Sequence, residues 1–129
     1  MTKLINFFAL LSYCLLIYWL SDQPSLPTPM WFPNQDKVHH ATAYFVMAIL
    51  AWRGLRGIIV SVPLRAIVVL AFCSFYGVSD EWHQSFVPGR STEFADWIAD
   101  TSGALLAMIL LISVKFAGKK LPRVQQVME

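Results

Sequence analysis

Three groups of polar and ionisable side chains lie at the ends of long apolar segments in this chain. They contain Asp, Glu and His, the side chains that most often transfer protons or bind cations in proteins. An ionisable group inside a membrane is costly unless it faces protein or water, so such groups are functional-site candidates. The groups are Asp36, Lys37 and His40; Asp80, Glu81 and Gln84; and Asp96 with Asp100.

The residue types indicate two kinds of role. Glu81, His40 and Asp96 are the candidate acid/base residues, because carboxyl and imidazole groups can exchange protons when their surroundings favour it. Arg90 presents a planar fork that suits phosphate or carboxylate, although an ion pair with Asp96 or Glu93 is the structural alternative. The candidate substrate-binding residues are Arg90, Lys37, Asp36, Tyr44, Gln84 and Asp100.

Other chemistry has weaker support. His40, Glu81, Asp96 and Asp100 are residue types that bind zinc, but the chain has no HExxH or comparable spacing. We therefore predict neither a metal nor a cofactor. No serine stands in a GxSxG elbow, which disfavours a covalent serine mechanism. A purely structural role also stays open, in which Glu81 would pair with one of the nearby cations, Lys37 or Arg90.

The composition indicates an integral membrane protein. The chain has 129 residues, 57% hydrophobic content and a mean hydropathy of +0.54, whereas soluble domains have about 45–50% apolar residues. Long apolar blocks predict an all-α, four-transmembrane-helix bundle forming a single domain over residues 1–129. The spans are expected at about 4–20, 36–53, 64–84 and 95–117. The first is read as a retained helix, because no small-x-small cleavage site follows it.

Basic residues indicate the orientation of the helices. Eight of the ten fall on one side of the predicted spans, and the positive-inside rule places that side, with both termini, in the cytoplasm. The segments at about 21–36 and 80–96 then face outward. A basic tail after a span suits anionic lipid headgroups, and no nucleic-acid partner is expected. The eight are Lys3, Arg53, Arg56, Arg65, Lys115, Lys119, Lys120 and Arg123.

Depth and facing predict that the polar groups meet. At 1.5 Å per residue, His40, Glu81 and Asp100 lie roughly 20–24 Å from the basic end of their helices. Helical spacing puts each group on one face of its helix, with Asp36, His40 and Tyr44 at i, i+4 and i+8. The sequence therefore predicts one polar site near the outer surface.

A row of small residues on the last helix also predicts close packing. Ala95, Ala99 and Gly103 follow the small-xxx-small pattern that lets helices approach one another. We expect this face to pack against a neighbouring helix.

Together these residues resemble the VanZ-like family of bacterial membrane proteins. The resemblance covers nearly the whole chain and implies a small multi-spanning protein of the bacterial inner membrane. The family's founding member is associated with low-level resistance to the glycopeptide antibiotic teicoplanin. Asp100 departs from the family pattern, which commonly has Asn there. The matching residues are Ser21-x-Gln23, Asp36-Lys37-x-x-His40-x-x-x-Tyr44, Glu81-x-x-Gln84, Pro88-x-Arg90, Asp96 and Gly103.

Three functions follow as hypotheses. The first is binding or processing of a polar or anionic cell-envelope ligand at the outward site, where a lipid headgroup, a lipid-linked cell-wall precursor or an amphiphilic antibiotic would fit. The second is an intramembrane hydrolase or transferase acting on a lipid-linked substrate, with Glu81 or His40 as acid/base. Proton-coupled transport is disfavoured, because no polar path is evident in the cytoplasmic half of the spans. The sequence does not decide between binding and catalysis.

Overall fold

The computed structural model describes residues 2–25 and 28–120, and over those ranges the chain is all-α. The predicted fold class is confirmed, and each helix encloses one of the predicted apolar blocks. The helices are α1 (Thr2–Ser21), α2 (Gln35–Leu55), α3 (Val62–Gln84) and α4 (Phe94–Lys120).

Local chemistry sets several of the helix ends. Asn34 precedes α2 in the left-handed conformation, with φ of 58°, which Asn tolerates better than most residues. Ser61 caps α3 by accepting a hydrogen bond from the Leu64 amide at 3.5 Å, and Pro63 stands in the first turn, where its missing N–H costs nothing. Gly89, with φ of +88°, makes the turn that leads from α3 towards α4.

The helices alternate in direction, which gathers the polar groups at one end of the bundle. Lys37 at the start of α2 contacts Glu93, just before α4, and the Glu93 amide bonds to Glu81 near the end of α3. Gly57, after α2, lies against the side chain of Lys3 at the start of α1. We call the end that holds Glu81 and Glu93 the acidic end, and the end that holds Lys3 the basic end.

Helix α2 is central to the bundle, since it packs against α1, α3 and α4 and its contact with α4 is the most extensive between any two helices. Its inward face is almost fully covered, whereas the other three helices expose many large apolar side chains. The buried apolar residues of α2 are Tyr44, Met47, Ala48, Ala51 and Trp52.

Three helices are long and apolar enough to cross a membrane: Lys3–Ser21, Val62–Gln84 and Phe94–Gly118. Helix α2 is not among them, because the polar residues of its first two turns and Arg53 lower its apolar content. Its central position accounts for this composition, since neighbouring helices can cover polar groups that lipid could not. The chain is thus a membrane protein whose least apolar helix is the most enclosed.

Helices α2 and α4 make the closest contact, at Gly103. A Cβ atom there would overlap the backbone carbonyl of Ala41 on α2. The expected small-residue row packs only in part, since Ala99 is half-buried and Ala95 is exposed. The prediction was therefore wrong for Ala95. The packed face instead follows the row of the carboxylates, and its buried members are Asp96, Asp100, Gly103, Ala104 and Ala107.

We expect Gly103→Ala to lower the thermal stability of the protein in detergent. The added methyl meets backbone that cannot rotate away, and overpacking of this kind costs about 1–3 kcal/mol. Gly118→Ala is the matched control on the same helix, because a Cβ there meets nothing within 4 Å, and its higher helix propensity should leave stability equal or slightly raised. Equal melting temperatures for the two variants would show that the contact with Ala41 is not tight.

Candidate functional site

A first group of side chains at the acidic end surrounds Lys37 and is here called the lysine network. The Lys37 ammonium lies 2.7 Å from Asp36 Oδ2, 2.6 Å from Glu93 Oε2 and 2.6 Å from Asp96 Oδ1. Asp96 is buried, whereas Asp36 and Glu93 are about half exposed. An ammonium has three donors, so these three carboxylates occupy its capacity. The network joins the start of α2 to the start of α4.

A second group, the histidine network, lies one turn deeper. His40 Nδ1 is 2.9 Å from Oδ1 of Asp100, a side chain with no solvent exposure. Glu81 accepts a hydrogen bond from the Glu93 amide through Oε2, at 3.0 Å. Asp100 Oδ2 and Glu81 Oε1 are both buried, and neither oxygen has a hydrogen-bond partner in the described chain. One ligand atom from each of His40, Glu81 and Asp100 lies within 4.8 Å of the others.

A cavity of about 420 Å³ opens beside these networks, between α1, α2 and α3. This volume falls within the range of small-molecule sites, about 300–1,000 Å³. Apolar residues of α1, Ile17 and Leu20, form part of its wall. Its polar lining includes Asp36, His40, Tyr44, Asp80, Gln84 and Arg90. The cavity therefore combines an apolar side with a polar side, as an amphiphile requires.

Arg90 brings a cation to this cavity without a carboxylate partner. Its Nη2 donates to the Leu20 carbonyl at 2.9 Å, and Nε is buried without a partner. No carboxylate in the described ranges forms an ion pair with it, and Lys37 holds both partners proposed from the sequence, Glu93 and Asp96. The guanidinium thus keeps charge and donors available at the cavity.

Two cavity residues bear hydrogen-bonding groups deeper in the bundle. The Tyr44 hydroxyl is buried and has no partner among the described side chains and backbone. Gln84 Nε2 lies 3.5 Å from Asp80 Oδ2, which is a weak hydrogen bond. Both groups can therefore form further hydrogen bonds with a bound molecule.

The predicted site residues divide between these features. His40 alone belongs to both the histidine network and the cavity. Glu81 pairs with neither Lys37 nor Arg90 and lines a different cavity, of about 310 Å³, together with Trp97. Those that line the larger cavity are Asp36, His40, Tyr44, Gln84 and Arg90, and those that do not are Lys37, Glu81, Asp96 and Asp100.

From the sequence, Asp80 was placed in a polar group and Ser21 in the family pattern, but neither residue was given a role in the site. Both are buried and line the cavity. Asp80 lies four residues before Gln84 and three after Gly77. This spacing puts all three residues on one face of α3, and all three are buried. His39, which neighbours His40 on α2, lies at the exposed rim of the cavity, because the cavity extends across more than one row of α2. His83 contacts Asp22 at 3.3 Å, outside the cavity.

Fold and site together define a small helical membrane protein with a polar centre at one end of its bundle. The VanZ/LLP1 family model matches residues 4–115, and the chain belongs to this family. The match extends across all four helices and confirms the resemblance seen in the sequence. No curated protein and no solved structure matches the chain.

We expect Lys37→Met to destabilise the protein by roughly 2 kcal/mol. The change leaves three carboxylates without their cation, although partial exposure keeps the cost below that of a fully buried pair. Lys37→Arg keeps the charge and should lose much less. Thermal unfolding in detergent measures both, with Lys3→Met at the basic end as the control. A loss no greater than that of Lys3→Met would mean that the network does not hold α2 to α4.

Proposed function

We propose that this protein binds the head of a polar or anionic cell-envelope amphiphile in the cavity between α1, α2 and α3. The carrying observation is Arg90, a cation without an ion-pair partner in the described chain, at the rim of a cavity that is otherwise part apolar and part polar. Guanidinium groups bind phosphate and carboxylate in a bidentate manner, which gives geometry as well as charge. Arg90 is thus assigned to the anionic group of the ligand.

The rest of the lining narrows the ligand class. Asp36 and Asp80 would repel a ligand that is anionic throughout, but they can accept hydrogen bonds from hydroxyl or amine groups. Tyr44 and Gln84 can donate as well as accept. The favoured ligand therefore has an anionic group near Arg90, hydroxyl or amine groups deeper, and an apolar chain along α1. A lipid headgroup, a lipid-linked cell-wall precursor and an amphiphilic antibiotic such as teicoplanin share this chemistry.

Orientation in the bacterial inner membrane follows from the charge distribution. Apart from Lys37 and Arg90, the basic residues in the described ranges are Lys3, Arg53, Arg56, Arg65, Lys115, Lys119 and Lys120, and they lie on the helix segments at or next to the basic end. The positive-inside rule favours that end as cytoplasmic, so the cavity opens outward. The eighth basic residue predicted for this side, Arg123, lies outside the described residues. This orientation presents the cavity to envelope lipids and to antibiotics that act outside the cell.

One observation favours a second function, acid/base catalysis on a lipid-linked substrate. His40 lines the cavity, and Asp100 behind it contacts Nδ1 at 2.9 Å. This is the arrangement of a general base oriented by a carboxylate. Glu81 faces a different cavity, so His40 is the better base for a substrate held by Arg90.

Proton-coupled transport has less support. At the basic end, Arg65 is buried, donates to the carbonyls of Ile59 and Val60, and lies 4.7 Å from the centre of the Trp52 ring. Its donors are thus engaged in local structure, and the described cavity belongs to the other end of the bundle.

We expect Arg90→Gln to weaken binding of phosphatidic acid at least tenfold while leaving the weaker binding of diacylglycerol unchanged. The two lipids differ by the phosphate that Arg90 is proposed to hold, and one tenfold step corresponds to about 1.4 kcal/mol. Lipid-dependent shifts in thermal unfolding of the purified protein measure the affinities.

Arg56→Gln, which removes a cation at the basic end, is the matched control and should bind both lipids as the wild type does. In cells, Arg90→Gln should also abolish any protein-dependent change in teicoplanin susceptibility. Equal phosphatidic acid binding by Arg90→Gln and the wild type would contradict the proposal.

Reporter fusions test the orientation. Fusions after Arg56 and after Lys120 should both report a cytoplasmic location, because basic residues follow or flank both sites. A periplasmic signal at either site would place the cavity on the inner side and remove envelope ligands from its reach.

A further inference from the structure

The histidine network has the composition of a metal site assembled from three helices. His40 comes from α2, Glu81 from α3 and Asp100 from α4, and one ligand atom of each lies within 4.8 Å of the other two. Bonds from these side chains to zinc measure about 2.0–2.2 Å, so ligands on one ion are at most about 4.4 Å apart. Sub-ångström shifts would therefore bring all three atoms onto one ion.

Two oxygens in this network are buried without any donor. Asp100 Oδ2 belongs to a side chain with no exposure, and Glu81 Oε1 is equally inaccessible. Neither has a hydrogen-bond partner in the described ranges. Buried acceptors without donors carry a large desolvation cost. Either a proton or a cation has to compensate for it.

The lysine network shows how a cation compensates such a group in the same molecule, because Asp96 Oδ1 also lacks a hydrogen-bond partner in the described ranges but lies 2.6 Å from the Lys37 ammonium. Asp36, Glu93 and Asp96 form a second group whose ligand atoms lie within 4.8 Å of one another. There the Lys37 ammonium contacts all three at 2.6–2.7 Å. The histidine network has the same density of acceptors, but no lysine or arginine of the described chain pairs with it.

The charge balance of the acidic end also indicates that the histidine network lacks a cation. All seven Asp and Glu side chains that the structure describes lie there, and only two cations, Lys37 and Arg90, accompany them. Lys37 contacts three carboxylates, and Arg90 contacts none. The histidine network therefore lacks a compensating charge of its own. A divalent cation would supply it.

We propose that His40, Glu81 and Asp100 bind one divalent transition-metal ion, of the Zn²⁺ or Mn²⁺ class. One imidazole and two carboxylates suit these ions, and three protein ligands leave coordination positions open. The ion takes the place of the proton shared between His40 Nδ1 and Asp100. Because the ligands come from three separate helices, no local sequence motif marks the site, and it escaped prediction from spacing. The inference does not depend on which amphiphile occupies the cavity.

The test uses the full chain, purified in detergent with any affinity tag removed and stripped with a chelator. Equilibrium dialysis against Zn²⁺, followed by elemental analysis, should give one ion per chain. Mn²⁺ loaded in the same way should show nitrogen coupling from one imidazole in pulsed electron paramagnetic resonance. Glu81→Gln and Asp100→Asn should each weaken Zn²⁺ binding at least tenfold, since loss of outer-sphere partners alone costs about 10–100-fold.

Glu93→Gln is the matched control, because it removes a carboxylate of the lysine network and keeps the backbone amide that contacts Glu81. It should bind Zn²⁺ as the wild type does. No bound ion in the wild type would overturn the proposal, as would equal weakening by Glu93→Gln and Glu81→Gln. Absence of nitrogen coupling would also overturn it, and this measurement needs no variant, so it decides even if Asp100→Asn fails to fold.

Discussion

The close approach of α2 and α4 at Gly103 is the contact on which the polar end of this molecule depends. The missing side chain at Gly103 lets the backbone of α4 reach the Ala41 carbonyl of α2. Asp100 lies three residues before Gly103, and His40 immediately precedes Ala41. Their 2.9 Å contact therefore requires the helices to be this close. The lysine network, one turn nearer the surface, depends on the same spacing.

His40 connects the two halves of the acidic end. On one side it contacts Asp100, whose side chain has no exposure, in a network that pairs with no lysine or arginine of the described chain. On the other side it faces a cavity in which Arg90 supplies an unpaired charge. A molecule in the cavity and a charge in the histidine network would consequently act on the same imidazole. The proposed binding cavity and the histidine network are thus adjacent in this fold, and His40 belongs to both.

Much of this arrangement could be predicted from the sequence, because helical geometry determines the depth and face of a side chain. Equal depth placed His40, Glu81 and Asp100 in one layer, and the structure places ligand atoms of all three within 4.8 Å. Periodicity does not determine how each helix is rotated against its neighbours. Nor does it describe the connection between α3 and α4, whose conformation brings Arg90 to the Leu20 carbonyl.

The errors have the same origin. Ala95 and Asp96 are neighbours in sequence and both were expected on packed faces, but the rotation of α4 buries Asp96 and exposes Ala95. Glu81 was chosen as a site residue and Asp80 was not, although Asp80 is buried and Glu81 is half-buried. A cavity formed by three helices leaves no residue pattern in any one of them. Residue spacing alone therefore could not predict which site residues line the cavity and which belong to the lysine and histidine networks.

The central position of α2 has a consequence for how the protein is made. This helix is the least apolar of the four, and the carboxylates that pair with its Lys37 and His40 come mainly from α4 and the residue before it. Those partners are synthesised last. When α2 leaves the ribosome, only α1 is available to shield it. The contacts of α2 with Glu93, Asp96 and Asp100 can therefore form only after α4 has been made, so the last helix completes the polar end of the bundle.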